Sequence, residues 1–374
     1  MRRGLNPLPV YIGMAAAAWP GVMPSDFSDM SDIPKDLPQE LKDMLRGIQL
    51  YYQCEFDSNR LPLDEVWRAG TVSVNAARGC TYKDGQPVML LIPSMINKSH
   101  ILDLMEGRSM LRWMTQQGIN AYLLDWGAVN EDEGQVSLDD SILNRLVPAL
   151  EFLHKKHGRK VHAMGYCMGG TILTGAAKKA EEHLASLIAL AAPWDFHAGS
   201  QALLNRIKFW APSALPMIEE KGHLTVEWIQ TLFASLDPKA TAKKFAAFTK
   251  VEEGSDQARL FVAVEDWLND GVCLPPAIAY SCIRDWFFNN HPYRGEWHID
   301  RLIVHPEELS LPALVIASRK DRLVEYESAA ALGEAMAKAT IINPDCGHIG
   351  MIAGNHSVER VWQPMAAWIK EQAE

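Results

Sequence analysis

Residues 161–170 read VHAMGYCMGG, an apolar strand-like run that gives way to Gly165-Tyr166-Cys167-Met168-Gly169-Gly170 and then to a helix-forming run over 171–179. A strand that enters a helix through closely spaced glycines needs a sharp turn. The residue at its apex is held in a strained backbone conformation with its side chain projecting. Here that residue is Cys167. At the helix N-terminus, unsatisfied N–H groups and the helix dipole favour a thiolate, and the Met168 N–H is available to a developing oxyanion. The competing reading is a buried structural thiol in a glycine-rich turn; the strand before it and the helix after it favour a nucleophile.

A nucleophile on such a turn requires an acid and a histidine later in the chain, in that order. Residues 314–317 (LVIA) read as a buried strand, and the turn Ser318-Arg319-Lys320-Asp321 delivers a carboxylate at its end. A second short strand over 340–343 leads into Pro344-Asp345-Cys346-Gly347-His348-Ile349-Gly350, where the histidine is flanked by glycines. Asp321 would fix the imidazole tautomer of His348, and His348 would exchange a proton with Cys167 and the leaving group. Asp195, in Pro193-Trp194-Asp195-Phe196 after the strand over 187–191, is the rival acid. Of the twelve histidines, His348 alone has this setting.

The 374 residues suffice for one large α/β core with an inserted domain, and 48% hydrophobic with 22% charged residues is ordinary for a globular chain. A net charge of −10 gives no reason to expect a nucleic-acid partner. The six cysteines form no CxxC pair and the histidines no zinc spacing, so neither a metal site, another cofactor nor a disulfide framework is expected. A catalytic thiol that must stay free implies a reducing compartment such as the cytoplasm. The start, Met1-Arg2-Arg3 followed by an apolar run over 10–19, resembles a signal peptide, but Pro7, Pro9 and the broken apolar stretch favour a short helix over 8–20. No transmembrane segment is expected, because no run approaches the ~18 to 20 apolar residues a span needs.

Along the chain, residues 1–70 read as a mostly helical extension. Strands are expected at 71–74, 87–93, 121–125, 161–165 and 187–191, with helices over 101–117 and 138–156 between them. That alternation describes a mostly parallel sheet covered on both faces. It breaks over 194–305, a helical block rich in aromatic residues and punctuated by proline, and resumes to the end. The domain reading is therefore a core of 71–193 and 306–374, with 194–305 inserted after the sixth core strand as a lid.

The combination resembles the polyhydroxyalkanoate synthases of the α/β-hydrolase superfamily, most closely the short two-component class III type. Their lipase-box variant, with Cys in place of Ser, is similar to 165–170; further likenesses are Ile96-Asn97-Lys98, Ile101-Leu102-Asp103-Leu104, Asp125-Trp126-Gly127, Val264-Glu265-Asp266-Trp267 and Gly347-His348-Ile349-Gly350-Met351. One departure is that Asp321 is followed by Arg322-Leu323-Val324-Glu325, where the family has His and then Val-Pro. The resemblance implies the α/β-hydrolase fold and Cys167, Asp321 and His348 as the catalytic set. It also implies a hydroxyacyl-CoA substrate with a polyester product, and a homodimer or a complex with a second synthase subunit on polymer granules. Coenzyme A would enter only as part of substrate and product.

Thiol chemistry suits such a substrate: a thiolate attacking a CoA thioester exchanges one thioester for another, and the acyl group stays activated. The oxyanion would be held by the Met168 N–H and by one N–H from Ser94, Met95 or Ile96, with Met95 at the centre of that turn. Substrate contacts are expected from Asn97, Lys98 and Tyr166, with Arg108 and Arg284 as further cations for CoA phosphates. A Cys-nucleophile esterase or thioesterase is the alternative on the same triad, and a catalytically weak granule-binding partner is a third.

Overall fold

In the computed structural model, which describes residues 37–128, 136–199 and 202–373, eight segments pair into one sheet. They are β1 (Leu63–Ala69), β2 (Val72–Ala77), β3 (Val88–Ile92), β4 (Asn120–Asp125), β5 (Val161–Tyr166), β6 (Leu184–Leu190), β7 (Ala313–Ile316) and β8 (Ala339–Ile342). Their spatial order is β1-β2-β4-β3-β5-β6-β7-β8. The β1–β2 and β2–β4 pairs are antiparallel and all the others parallel. Strand β3, VMLLI, is buried along its whole length, as a strand covered on both faces must be. The expected short helix over 8–20 lies outside the described residues.

The register of the parallel strands builds the functional edge. Ile92 stands opposite Gly165, and Tyr166, Leu190, Ile316 and Ile342 form one row across β5 to β8. The loops that follow β3, β5, β7 and β8 therefore leave the sheet side by side at its carboxyl edge, where open α/β sheets place their ligands. Residues more than a hundred positions apart in sequence begin within a strand spacing or two of each other.

Two elements differ from the sequence reading. Strand β1 falls inside the segment expected to be helical; LDEVWRA is an edge strand with no fully buried residue and three charged side chains, so it lacks a hydrophobic alternation. The helix expected over 101–117 is only Met110–Gln116. Before it, Asp103–Met105 and Arg108–Ser109 pair across a turn in which Gly107 has φ 75°, and Ser109 caps the helix by accepting the Arg112 N–H at 3.0 Å. The run expected over 138–156 is continuous helix from Leu138 to His157 with a π turn at Ile142–Leu146, closed by Gly158 at φ 62°.

The described residues group into two compact units, 60–224 with 272–373, which holds the sheet, and 37–59 with 225–271. In the second, the helix Gln39–Gln53 packs Leu41, Met44, Ile48 and Tyr51 around Phe245, Phe248 and Val262. Gly47 permits this approach, since a Cβ there would lie 1.9 Å from the Phe245 carbonyl oxygen. Two residues of the Val264-Glu265-Asp266-Trp267 motif serve this unit: Glu265 pairs with Lys244 at 2.7 Å, and Asp266 accepts the Tyr51 hydroxyl at 2.5 Å. Within residues 194–305, therefore, 225–271 belong with the N-terminal helix and the rest with the sheet. Among the described residues no helix is long and apolar enough to cross a membrane.

Candidate active site

Cys167 sits between β5 and the helix Met168–Ala177 with φ 54° and ψ −128°, a conformation that costs a non-glycine residue about 1–3 kcal/mol. Its surroundings enforce it. A Cβ on Gly165 would lie 2.3 Å from Gly170 Cα, one on Gly170 would lie 2.4 Å from Ala192 Cβ, and one on Gly169 would lie 2.5 Å from the carbonyl oxygens of Ile92 and Pro93. The three glycines thus let the helix start fold tightly onto its own strand, onto β6 and onto the loop after β3. The turn is closed by the Cys167 N–H to the Leu190 carbonyl and the Gly170 N–H to the Cys167 carbonyl, each at 2.9 Å.

His348 reaches this elbow from the loop after β8. Its Nδ1 lies 2.7 Å from Asp321 Oδ2, which leaves Nε2 for a second partner, and Cys167 is near enough to act electrostatically on the ring. Burial opposes a positive charge on the ring, but the Asp321 carboxylate, the Cys167 sulfur and the hydrogen bond to Asp321 outweigh it and push the imidazole pKa up to about 10. Asp321 itself is 5% exposed, and its Oδ1 accepts the N–H groups of Leu323 and Val324 at 2.8 and 3.0 Å, which fixes the carboxylate plane. Arg322 and Glu325, the departures from the family pattern, leave this Asp-turn geometry intact.

Asp195 is placed elsewhere: its Oδ1 accepts Asn290 Nδ2 at 2.8 Å and the His197 N–H at 2.9 Å, fastening the loop after β6. Among the other thiols, burial pushes Cys80 and Cys346 up and Cys282 up to about 12, which keeps them protonated and poorly nucleophilic. Among the described residues no three His, Cys, Asp or Glu side chains gather as a metal ion would require.

On the oxyanion side, Met168 opens the helix and Met95 is buried in the loop after β3. The Ile96 N–H is given to Ser94 Oγ at 3.2 Å, so of the three amides considered that one is engaged. Asn97 and Lys98 follow this loop, half-buried and exposed respectively. Arg108 donates to Asn355 Oδ1 at 3.2 Å, and Arg284 is paired with its neighbour Asp285 at 2.7 Å. Tyr166, expected to meet substrate, is buried at the end of β5. Its hydroxyl donates to the His348 carbonyl at 3.4 Å and its ring centroid is 5.1 Å from the imidazole. Burial, with the Cys167 and Asp321 charges, raises its phenol well above the ordinary value and keeps it a neutral donor.

Ser318 was legible in sequence only as a turn residue. It is 1% exposed, and its Oγ lies 2.7 Å from the Pro344 carbonyl and 2.6 Å from that of Cys346, tying the acid-bearing loop to the histidine-bearing loop. A small polar residue directly after a fully buried strand is the one signal that marks it, since a buried hydroxyl must find a partner.

A thiol on a strained elbow at a helix start, with a carboxylate-bound imidazole at the same sheet edge, is a set of groups suited to nucleophilic acyl chemistry. Sheet order and the strand–cysteine–helix elbow are those of an α/β hydrolase, and the chain belongs to that family: residues 109–361 match the model of the alpha/beta hydrolase family. It is similar to proteins named poly(3-hydroxyalkanoate) polymerase subunit PhaC. That of Haloarcula marismortui is 24% identical over 78% of this chain and 62% of its own length, and that of Haloferax mediterranei 25% identical over 76% and 59%. That of Allochromatium vinosum is 24% identical over 77% of this chain and 82% of its own length. The chain thus spans about 60% of the length of the two haloarchaeal relatives. Its fold is similar to that of a thermophilic esterase from Thermogutta terrifontis, with TM-score 0.50 and 15% identity over 84% of this chain and 99% of that one.

Proposed function

We propose that this protein is an acyltransferase that takes (R)-3-hydroxyacyl units from coenzyme A thioesters and links them into a polyhydroxyalkanoate, with Cys167 as covalent carrier, His348 as base and Asp321 as orienter. The observation that carries the reading is the strained Cys167 elbow between β5 and its helix, with the His348 imidazole held on Asp321 at 2.7 Å at the same sheet edge. The names of the relatives, PHA polymerase subunits, support the substrate class.

The Cys167 thiolate adds to the thioester carbonyl, the carbon–sulfur bond to CoA breaks, and the departing sulfur takes the proton from His348 Nε2. Acylation removes the sulfur's charge, and with it the electrostatic pull of Cys167 that helps raise the imidazole pKa. His348 then becomes competent to draw the proton from the 3-hydroxyl of the next unit. That oxygen attacks the Cys167 thioester, an ester bond forms, the carbon–sulfur bond breaks, and the thiolate–imidazolium pair is restored. Oxyanions in both steps would be held by the amides of Met168 and Met95. Lys98, with Asn97 beside it, is assigned to the CoA end of the substrate, and coenzyme A serves only as carrier and product. A homodimer or a complex with a second subunit, working in the cytoplasm at the surface of a polymer granule, completes the proposal. Chain growth also requires that water be kept from the acylated Cys167.

Incubating the protein with 3-hydroxybutyryl-CoA tests this directly. Free CoA with insoluble polyester supports the proposal. Free CoA with soluble hydroxyacid assigns the same triad to a thioesterase, water replacing the hydroxyl, and no CoA release removes both enzymatic readings in favour of a granule-binding role.

A further inference from the structure

We infer that Trp126 is a positioning residue for the oxyanion loop: its indole N–H holds the Pro93 carbonyl, and through it the Met95 amide, against the start of the Cys167 helix. This rests on the proposed function of the triad and concerns a residue that mechanism does not use.

The indole Nε1 of Trp126 donates to the Pro93 carbonyl at 2.9 Å. Pro93 is buried, so that carbonyl needs a partner, and it also faces the side of the helix start where Gly169 has no Cβ. The loop beyond is fixed as well, with the Ile96 N–H on Ser94 Oγ at 3.2 Å and the Ile96 carbonyl accepting the Val272 N–H at 2.8 Å. Met95 therefore lies between two pinned points, Pro93 and Ile96, and the direction of its N–H follows from them.

Trp126 is itself set by its neighbours in the Asp125-Trp126-Gly127 motif. Asp125 Oδ1 accepts the Gly127 N–H at 2.9 Å, and Thr71 Oγ1 donates to the Trp126 carbonyl at 3.1 Å. Gly127 has φ 75°, and a Cβ there would lie 2.5 Å from the Thr71 carbonyl oxygen. The end of β4 is thereby locked to β2, and the indole is aimed across β4 at the neighbouring loop after β3. A tryptophan is suited to the task because it bridges that gap with one rigid ring and carries one donor and no acceptor.

Two variants test the inference: Trp126→Phe, and replacement of Trp126 by benzothienylalanine, which keeps the ring system and exchanges N–H for S. The readouts are kcat and KM for CoA release, inhibition by a trifluoromethyl ketone whose thiohemiketal carries an oxyanion, and the rate at which iodoacetamide alkylates Cys167, a reaction with no oxyanion. Because misplacing a group by about an ångström costs on the order of 100-fold, kcat should fall roughly 10- to 100-fold. The ketone should weaken in parallel, while KM and the alkylation rate stay within about twofold of wild type. Full kcat in the benzothienyl protein would overturn the inference, and so would a loss of alkylation equal to the loss of turnover. A wild-type protein that releases no CoA would instead sink the function proposed above, and the ketone and alkylation measurements would still report on the loop.

Discussion

Around Cys167 the backbone does the placing: at three glycines within six residues a Cβ would come within 2.3–2.5 Å of neighbouring atoms, and the cysteine is held at φ 54°. Around His348 the placing is done by side chains from elsewhere in the chain. Asp321 holds the ring from 27 positions away, Ser318 lies on the Cys346 carbonyl from 28, and Tyr166 donates to the His348 carbonyl from 182. The first half of the site is a local steric device, and the second is a set of long-range hydrogen bonds. They should therefore fail differently, the elbow by misfolding and the histidine loop by loss of alignment.

The largest expected effects separate chemistry from construction. Cys167→Ala should abolish CoA release, by ~10⁴-fold or more, while its stability cost is confined to the lost interaction of the sulfur with His348, because the thiol contributes nothing to the elbow's backbone. Wild-type turnover in that variant would remove the mechanism. Asp321→Asn should cost ~10⁴-fold in kcat by favouring the wrong imidazole tautomer. A loss under tenfold would mean that another group orients His348.

Next in size are the two tests of construction. Gly169→Ala should destabilise the sheet unit by about 3 kcal/mol or more, because the new methyl meets the backbone of Ile92 and Pro93 rather than a movable side chain. Urea unfolding measures it, and a change below about 1 kcal/mol would show that the elbow yields. Ser318→Ala should do the reverse, costing only ~1–2 kcal/mol of stability for the one hydroxyl proton shared by the Pro344 and Cys346 carbonyls but ~10-fold in kcat as His348 loosens from Asp321. Equal stability costs in the two variants would erase the contrast drawn here.

The smallest effect per step is in pH. The folded pKa of His348, about 10, lies above its ordinary 6.5, so its linked contribution to stability is complete below pH 6.5 and is lost as pH rises through about 10. Across that window the wild-type protein should lose up to ~1.4 kcal/mol per pH unit relative to His348→Gln, measured by urea unfolding. Parallel curves for the two proteins would show that the imidazolium is not stabilised in the folded state.

The same division governs how far the sequence could be read. Residues 161–170 contain every steric element of the elbow, so the cysteine turn, its helix and the strands β3, β5, β6 and β7 were legible, as was the pairing of Asp321 with His348. Strand β1 was not, because an edge strand with Asp64, Glu65 and Arg68 carries no buried alternation. Nor was the break at Glu106-Gly107, which one glycine inside a helical pattern does not announce. Nor was the contact of Tyr166 with His348 legible, because the side to which a strand-end side chain turns depends on which loop covers it.

The sequence by itself determined what is local: strand cores from continuous apolar runs, the cysteine elbow from glycine spacing, and the identity of the groups that can ionise. Only the tertiary structure decided what is relational. The choice of Asp321 over Asp195, the pinning of the histidine loop by Ser318 and the reach of Trp126 to Pro93 all follow from strand register. The physical reason is that steric exclusion acts between neighbours in the chain, whereas a hydrogen bond of 2.7–2.9 Å between residues tens of positions apart exists only once the sheet has set their loops side by side.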